Sequence, residues 1–232
     1  MDYRMSKEQK IITKEDLLPL DAYTKVRRQM RKELVEFKKN RRILLGPYAT
    51  FYFECYETMI AQVQEMLYIE KGGDEQIADE LAAYNPLIPN GKELVATLMF
   101  EIDNPVIRTE FLGKLGGVEK NIFIKINDEK IYAVPEMDVD RTSDDGKASS
   151  VQFIHFNFSD DQVKNLRIRL ILLKLVLIIR NIHIQLNFQK TILKLFQQTL
   201  INYTPNIIIF CNPTRMVTSF NVTPFFFTFY DF

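Results

Sequence analysis

Three side chains of the kinds that bind metal ions or move protons stand out in the first two-thirds of the chain: Glu54, Glu65 and His155. A carboxylate–histidine centre for iron, manganese or zinc needs such donors to converge within about 2–2.5 Å of one ion. Glu54 falls on the more polar side of a strand-like run and Glu65 on the helix-like run that follows. His155 sits in a third segment, beside Val151 and Phe153. The same residues admit a plainer alternative, in which His155 is a partly buried, hydrogen-bonded side chain and both carboxylates pair with a basic helix. Tyr84 and Asn85 are binding candidates, because Tyr84-Asn85-Pro86 and Pro89-Asn90-Gly91 flank a rigid loop, and loops on a scaffold often carry function. Asp140-Arg141 with Asp144-Asp145 suggests either a cation or partner site or a solvated loop.

Other chemistry is excluded early. Neither GxGxxG nor GxxxxGK[ST] occurs, so no phosphate-cradling glycine loop is expected. Cys55 and Cys211 are the two cysteines, too few for a disulfide scaffold or a four-thiolate site. By alternation Cys55 points with Phe51 and Phe53, which predicts an inert core thiol.

The elements that must position these residues are readable from periodicity. Thr13 with Asp16 gives a capping-box signal. Tyr23, Val26, Met30, Leu34 and Phe37 are spaced by three and four and predict a helix over about 19–40. Its other face carries Lys25, Arg28, Arg31, Lys32, Lys38 and Lys39, with Glu33 and Glu36 interleaved. That face is either a docking surface for an acidic partner or a solvated helix side. Strands are expected at 42–45 and 49–55, a helix at about 57–69 and another from 74 to 84. A strand at 93–102 should place Leu94, Ala96, Leu98, Phe100 and Ile102 on one face. Pro105 opens a helix that Gly116-Gly117 closes, 121–126 and 130–134 form a hairpin, and 151–158 is a strand before a helix capped by Ser159. Short helices among antiparallel-capable strands predict an α+β fold, mainly an antiparallel sheet with several helices in one domain.

Charge divides the chain. Lys and Arg total 30, as do Asp and Glu, yet residues 1–166 carry net −6 and residues 167–232 net +6. All eight glycines and every alanine precede residue 167. The acidic body argues against nucleic-acid binding. The first residues hold no apolar run behind their charges, so no secretory signal is expected and a reducing cytosol is the anticipated compartment.

Several separated segments together resemble a known family: Arg41-Arg42-Ile43-Leu44-Leu45-Gly46-Pro47, Phe53-Glu54, Gln62-Val63-Gln64-Glu65-Met66-Leu67, Ala83-Tyr84-Asn85-Pro86-Leu87-Ile88-Pro89 and Glu93-Leu94-Val95-Ala96-Thr97-Leu98. In that order they are similar to the bacterial family called domain of unknown function 3501, over about residues 11–165. The family has no established activity. Its members are often encoded beside a rubrerythrin-like protein and a heterodisulfide-reductase-like iron–sulfur protein. The resemblance therefore implies an accessory or binding role near a redox or peroxide-handling system, with one of those proteins as partner. Tyr48 stands where many relatives have His after Gly-Pro, which argues against a metal there.

Relatives continue with Gly-hydrophobic-Asp-His-Pro-x-Tyr and a closing helix, whereas this chain turns to Ile, Leu, Phe and Asn after residue 166. The codons offer an explanation. When the last base of each codon is joined to the first two of the next, the overlaps from Leu175 onward can encode Gly-Val-Asp-His-Pro-x-Tyr. The overlaps from Asn187 can encode a capped acidic helix, and Ile201 into Asn202 permits a stop. The expectation is a single-base loss near the Leu166 codon: a domain at 1–166, then a frameshifted or read-through tail of low order at 167–232. His183 belongs to that tail and is not counted as a site residue. A membrane reading fares worse, because the apolar run at 170–179 spans about 15 Å of a hydrocarbon core of about 30 Å, with Lys174 in its middle. The function expected is thus an accessory or binding protein, inactive if the frame loss removed a needed residue. The alternative is a metal-dependent enzyme using Glu54, Glu65 and His155.

Overall fold

The first long helix follows Pro19, whose extended backbone sets the entry, and α1 runs Leu20–Lys39. A tight turn then leads into β1 (Arg42–Leu45) and β2 (Ala49–Phe53), with Gly46 supplying the positive φ of 64° between them. The chain is described here by a computed structural model covering residues 7–126, 129–136, 142–143 and 146–163, together with the backbone of strands at 173–179 and 182–185.

Cys55 caps α2 (Tyr56–Glu70): its backbone N–H donates to Thr58 Oγ1 at 2.9 Å. The second strand therefore ends two residues before its expected limit, and Cys55 does not continue the row of Phe51 and Phe53. Lys71 adopts the left-handed conformation that stops α2. Next come α3 (Gly73–Tyr84), a single 3₁₀ turn at Asn85–Leu87, and β3 (Glu93–Phe100). Asn104 Oδ1 accepts from the backbone N–H groups of Val106 and Ile107 to start α4 (Pro105–Gly113). The hairpin is β4 (Ile122–Ile126) and β5 (Glu129–Tyr132), followed by β6 (Val134–Pro135) and β7 (Val151–Asn157). Ser159 caps the turn after β7, accepting from the Gln162 N–H at 3.2 Å.

Two antiparallel sheets result. The first has the order β1-β2-β3-β7-β6, and the fold is α+β as expected. The second is β5-β4-β8-β9, where β8 (Leu173–Ile179) and β9 (Ile182–Gln185) come from the part beyond residue 166. The register sets Ile124 opposite Leu175 and Ile178 opposite His183. The remainder of that part lies outside the described residues, as do Asp140, Arg141, Asp144 and Asp145.

The alternation expected in β3 holds as far as Phe100, where the strand ends two residues before its expected limit and short of Ile102. Leu94, Ala96, Leu98 and Phe100 pack with Phe51, Phe53, Ile154 and Phe156 against Ile122, Ile124 and Ile131 of the second sheet. Burying an aliphatic or aromatic side chain of this kind contributes about 1.5–3 kcal/mol. The opposite face of β3 is covered too, because Val95 packs with Ile12, Tyr56, Met59, Val63, Leu87 and Ile88 beneath the helices. Polar residues on that face are therefore buried, and each needs a partner. Among the described residues no helix is long and apolar enough to cross a membrane.

Candidate functional site

The register across the helix-covered face determines what can meet there. Glu54 donates its backbone N–H to the Val95 carbonyl at 2.8 Å, and Val95 stands opposite His155. Directly opposed residues of antiparallel strands share a face, so Glu54 and His155 share one, with Val95 between them. Each is nonetheless occupied separately. Thr97 Oγ1 donates to Glu54 Oε1 at 2.6 Å, and Glu54 is only 3% exposed. Its Oε2 has no hydrogen-bond partner among the described residues. The buried Arg41 donates to the Phe53 and Glu54 carbonyls at 2.9 and 3.0 Å, tying the end of β2 to the end of α1.

His155 is held at both ring nitrogens, by two carboxylates that the sequence reading did not single out. Nδ1 lies 2.9 Å from Glu93 Oε2 and Nε2 lies 2.7 Å from Glu136 Oε1. Burial works against the charged imidazolium, but Glu93 and then Glu136 outweigh it and raise the imidazole above its ordinary value. Glu93 Oε1 also accepts the Asn90 backbone N–H at 3.1 Å. Lys10 donates to the Asn90 carbonyl, and burial lowers its ammonium despite the nearby Glu93 charge. The two carboxylates sit at opposite edges of the imidazole ring, so they do not converge on a common point.

Glu65 turns to α1. Arg27 Nε and Nη2 donate to its two oxygens at 2.9 Å each, and the Tyr23 hydroxyl donates to Oε1 at 2.5 Å. Burial alone would raise this carboxyl; the Arg27 and Tyr23 contacts hold it below its ordinary value. Burial and then Glu65 push the Tyr23 phenol upward. The Arg27 guanidinium also lies 4.3 Å from the centre of the Tyr68 ring. The three metal candidates thus belong to three separate networks. Among the described residues no group of three or more His, Cys, Asp or Glu side chains is placed to hold a metal ion.

The loop candidates are also engaged internally. Asn85 accepts the Ile12 N–H at 2.7 Å and donates to the Ile12 carbonyl at 3.0 Å. Gln64 does the same to Leu18, at 2.9 and 3.0 Å. Two amide side chains thereby strap the segment before α1 across the helices. Tyr84 is half-buried with Gln62 Nε2 at 3.5 Å, and burial raises its phenol. Burial likewise pushes the Cys55 thiol up to about 11, against the pull of Arg41.

Sequence could have flagged Glu93, because alternation places it on the face of Val95 and Thr97 rather than that of Leu94. Glu136 carries no such signal, since its partner is decided by the pairing of β6 with β7.

A search of curated proteins finds no match. Among solved structures, one described as a novel protein of unknown function from Burkholderia pseudomallei K96243 superposes with a TM-score of 0.69 at 36% identity. The similarity covers 75% of this chain and 90% of that one. The family described as protein of unknown function (DUF3501) matches over residues 11–200, beyond the point where the quoted segments stop. With that match spanning most of its length, the chain belongs to the DUF3501 family.

Proposed function

We propose that the chain is a cytosolic accessory or binding protein of a redox or peroxide-handling system, acting through its surface rather than through a reaction centre of its own. The observation that carries this reading is the closed state of its reactive groups. His155 has both nitrogens engaged, Glu65 is spent on Arg27 and Tyr23, and the Cys55 thiol is pushed up to about 11. A general base needs a free lone pair within reach of its substrate, and a redox thiol needs thiolate near neutral pH. Among the described residues, neither His155 nor Cys55 offers this. The redox setting rests on the neighbouring genes that the family resemblance implies. The partner proposed is accordingly a rubrerythrin-like or iron–sulfur protein.

The test is isothermal titration of the purified full chain with each of those two proteins. It is paired with peroxide turnover by the rubrerythrin-like protein in the presence and absence of this chain. Saturable binding, a change in partner turnover and an unchanged effect in His155→Gln are expected. Absence of binding to both would overturn the reading. So would stoichiometric iron, manganese or zinc that disappears in Glu65→Ala, since that result returns the metal-dependent enzyme with Glu54, Glu65 and His155.

A further inference from the structure

We infer that Asn90–Gly91 is a self-modifying site, where the Asn90 side-chain amide closes onto the Gly91 nitrogen and is converted to a carboxylate. This inference is independent of the accessory-protein reading, because its reactants are this chain and water. Three observations carry it.

The first is access. Asn90 is exposed, and Gly91 follows it with a φ of 100°. Glycine has no Cβ to screen its nitrogen from the neighbouring amide carbon. Among the described residues, neither the Gly91 N–H nor Asn90 Nδ2 makes a hydrogen bond. The attacking nitrogen and the leaving group are both untied.

The second is the carbon under attack. Asn90 Oδ1 accepts the Lys92 backbone N–H at 2.8 Å. That donor draws electrons from Cγ and stabilises the charge that builds on Oδ1 as the ring closes.

The third is the nitrogen itself. Lys10 donates from its side chain to the Asn90 backbone carbonyl. Drawing charge onto that oxygen makes the N–H of the same peptide group, that of Gly91, a stronger acid, and its anion is the attacking species. Glycine permits this approach, because a Cβ at residue 91 would run into Lys10 Nζ. The contact joins residues 80 positions apart, so only the folded chain has it.

The Gly91 nitrogen loses its proton to solvent hydroxide and bonds to Asn90 Cγ. The Cγ–Nδ2 bond breaks, and Nδ2 takes a proton from water and leaves as ammonia. Water then opens the cyclic imide at either carbonyl, giving aspartate or isoaspartate; nothing is oxidised or reduced. The product places a new negative charge beside Glu93, whose Oε1 accepts the Asn90 N–H at 3.1 Å. Asn85 and Asn104 precede prolines, whose nitrogens carry no proton to lose, so they supply internal controls.

The test incubates the full chain and Lys10→Ala at neutral pH, folded and in concentrated urea. Tryptic peptides are then analysed by mass spectrometry, and isoaspartate is detected by isoaspartyl methyltransferase labelling. Asn90 should change from amide to acid while Asn85, in the same tryptic peptide, stays intact. In the folded state Lys10→Ala should slow the reaction by about threefold or more, since half of a typical net hydrogen bond moves a rate by that factor. In urea the two chains should react equally. Base-catalysed exchange of the Gly91 amide passes through the same nitrogen anion and should also slow in Lys10→Ala, whereas a merely loosened loop would speed it. An Asn90 that stays an amide, equal folded-state rates in the two chains, or faster Gly91 exchange in the variant would each overturn the inference.

Discussion

Asn85 closes both backbone hydrogen-bonding groups of Ile12, accepting from its N–H at 2.7 Å and donating to its carbonyl at 3.0 Å. A single amide side chain thus reproduces what a neighbouring strand would provide. Ile12 is 1% exposed and packs on Leu87 and Ile88, so the clamp holds an apolar anchor in place. Asn85→Ala leaves a buried donor and acceptor without partners, which costs about 1–3 kcal/mol. Urea unfolding should show a lower midpoint with an unchanged slope, and the Ile12 amide should exchange faster. Wild-type protection of that amide in the variant would show that Asn85 does not hold the strap.

The two amide clamps also account for why residues 83–89 look like a binding loop. The Asn85 side chain is spent on the chain's own segment before α1, at Ile12. The residues at 12 and 18 that receive Asn85 and Gln64 are an isoleucine and a leucine, and a backbone contact leaves no mark on side-chain type. Helix α1 differs: its limits were readable to within a residue from Tyr23, Val26, Met30, Leu34 and Phe37. Its docking was not readable, because the stripe is buried only at Tyr23, where α2 brings Glu65 and Tyr68. Nothing local separates Arg27, which meets Glu65, from Arg28, which faces outward.

His155 and Glu93 are 62 residues apart and meet through the pairing of β3 with β7. Glu93 and Glu136 are the charged groups that act on the imidazole, and the Lys10 ammonium interacts with Glu93 in turn. Because its folded-state value is raised, the proton is bound more tightly in the folded chain. Its stabilising contribution is complete below the unfolded value of about 6.5 and fades as pH rises through the folded value. The advantage of wild type over His155→Gln in unfolding free energy should therefore be larger at about pH 6 than at about pH 9. An advantage that grows with pH would mean the folded chain binds the proton less tightly than the unfolded chain, with the imidazole held neutral by its burial.

The Glu65 carboxylate has the opposite sign. Its value is lowered, so its contribution is present above the unfolded value of about 4.3 and is lost as pH falls through the folded value. Glu65→Gln removes one charge of the bidentate pair while keeping the shape. The thermal midpoint should fall by a few degrees at neutral pH, with the gap to wild type closing in acid. Arg27→Lys should lose most of the same stability, since a lysine cannot fill both oxygens in the guanidinium geometry. A midpoint unaffected by either change would show that α1 is fastened elsewhere, with Tyr23 and its edge-on contact to Tyr68 the next residues to test.

The part beyond residue 166 can be settled at the level of its codons. Strand β8 pairs along the whole of β4, and its Leu173, Leu175 and Leu177 stand opposite Ile126, Ile124 and Ile122. Apolar β-forming residues suit such an added strand, and a frame that has drifted into A/T-rich codons supplies them in quantity. We propose that the natural frame differs from the Leu166 codon onward. Sequencing the coding DNA from the Asn165 codon through the Asn202 codon should then show an overlapping frame that reads Gly-x-Asp-His-Pro and stops at the Ile201–Asn202 junction. The family match to the present frame itself continues through residue 200, so a restored frame that aligned with the relatives no better than the present one would overturn the proposal. If the overlap instead holds stops and unrelated residues, the Ile- and Phe-rich extension is genuine. In that case β8 and β9 are native strands of the second sheet, and deleting residues 167–232 should leave the β4 edge that pairs with β8 open and cause the shortened protein to aggregate.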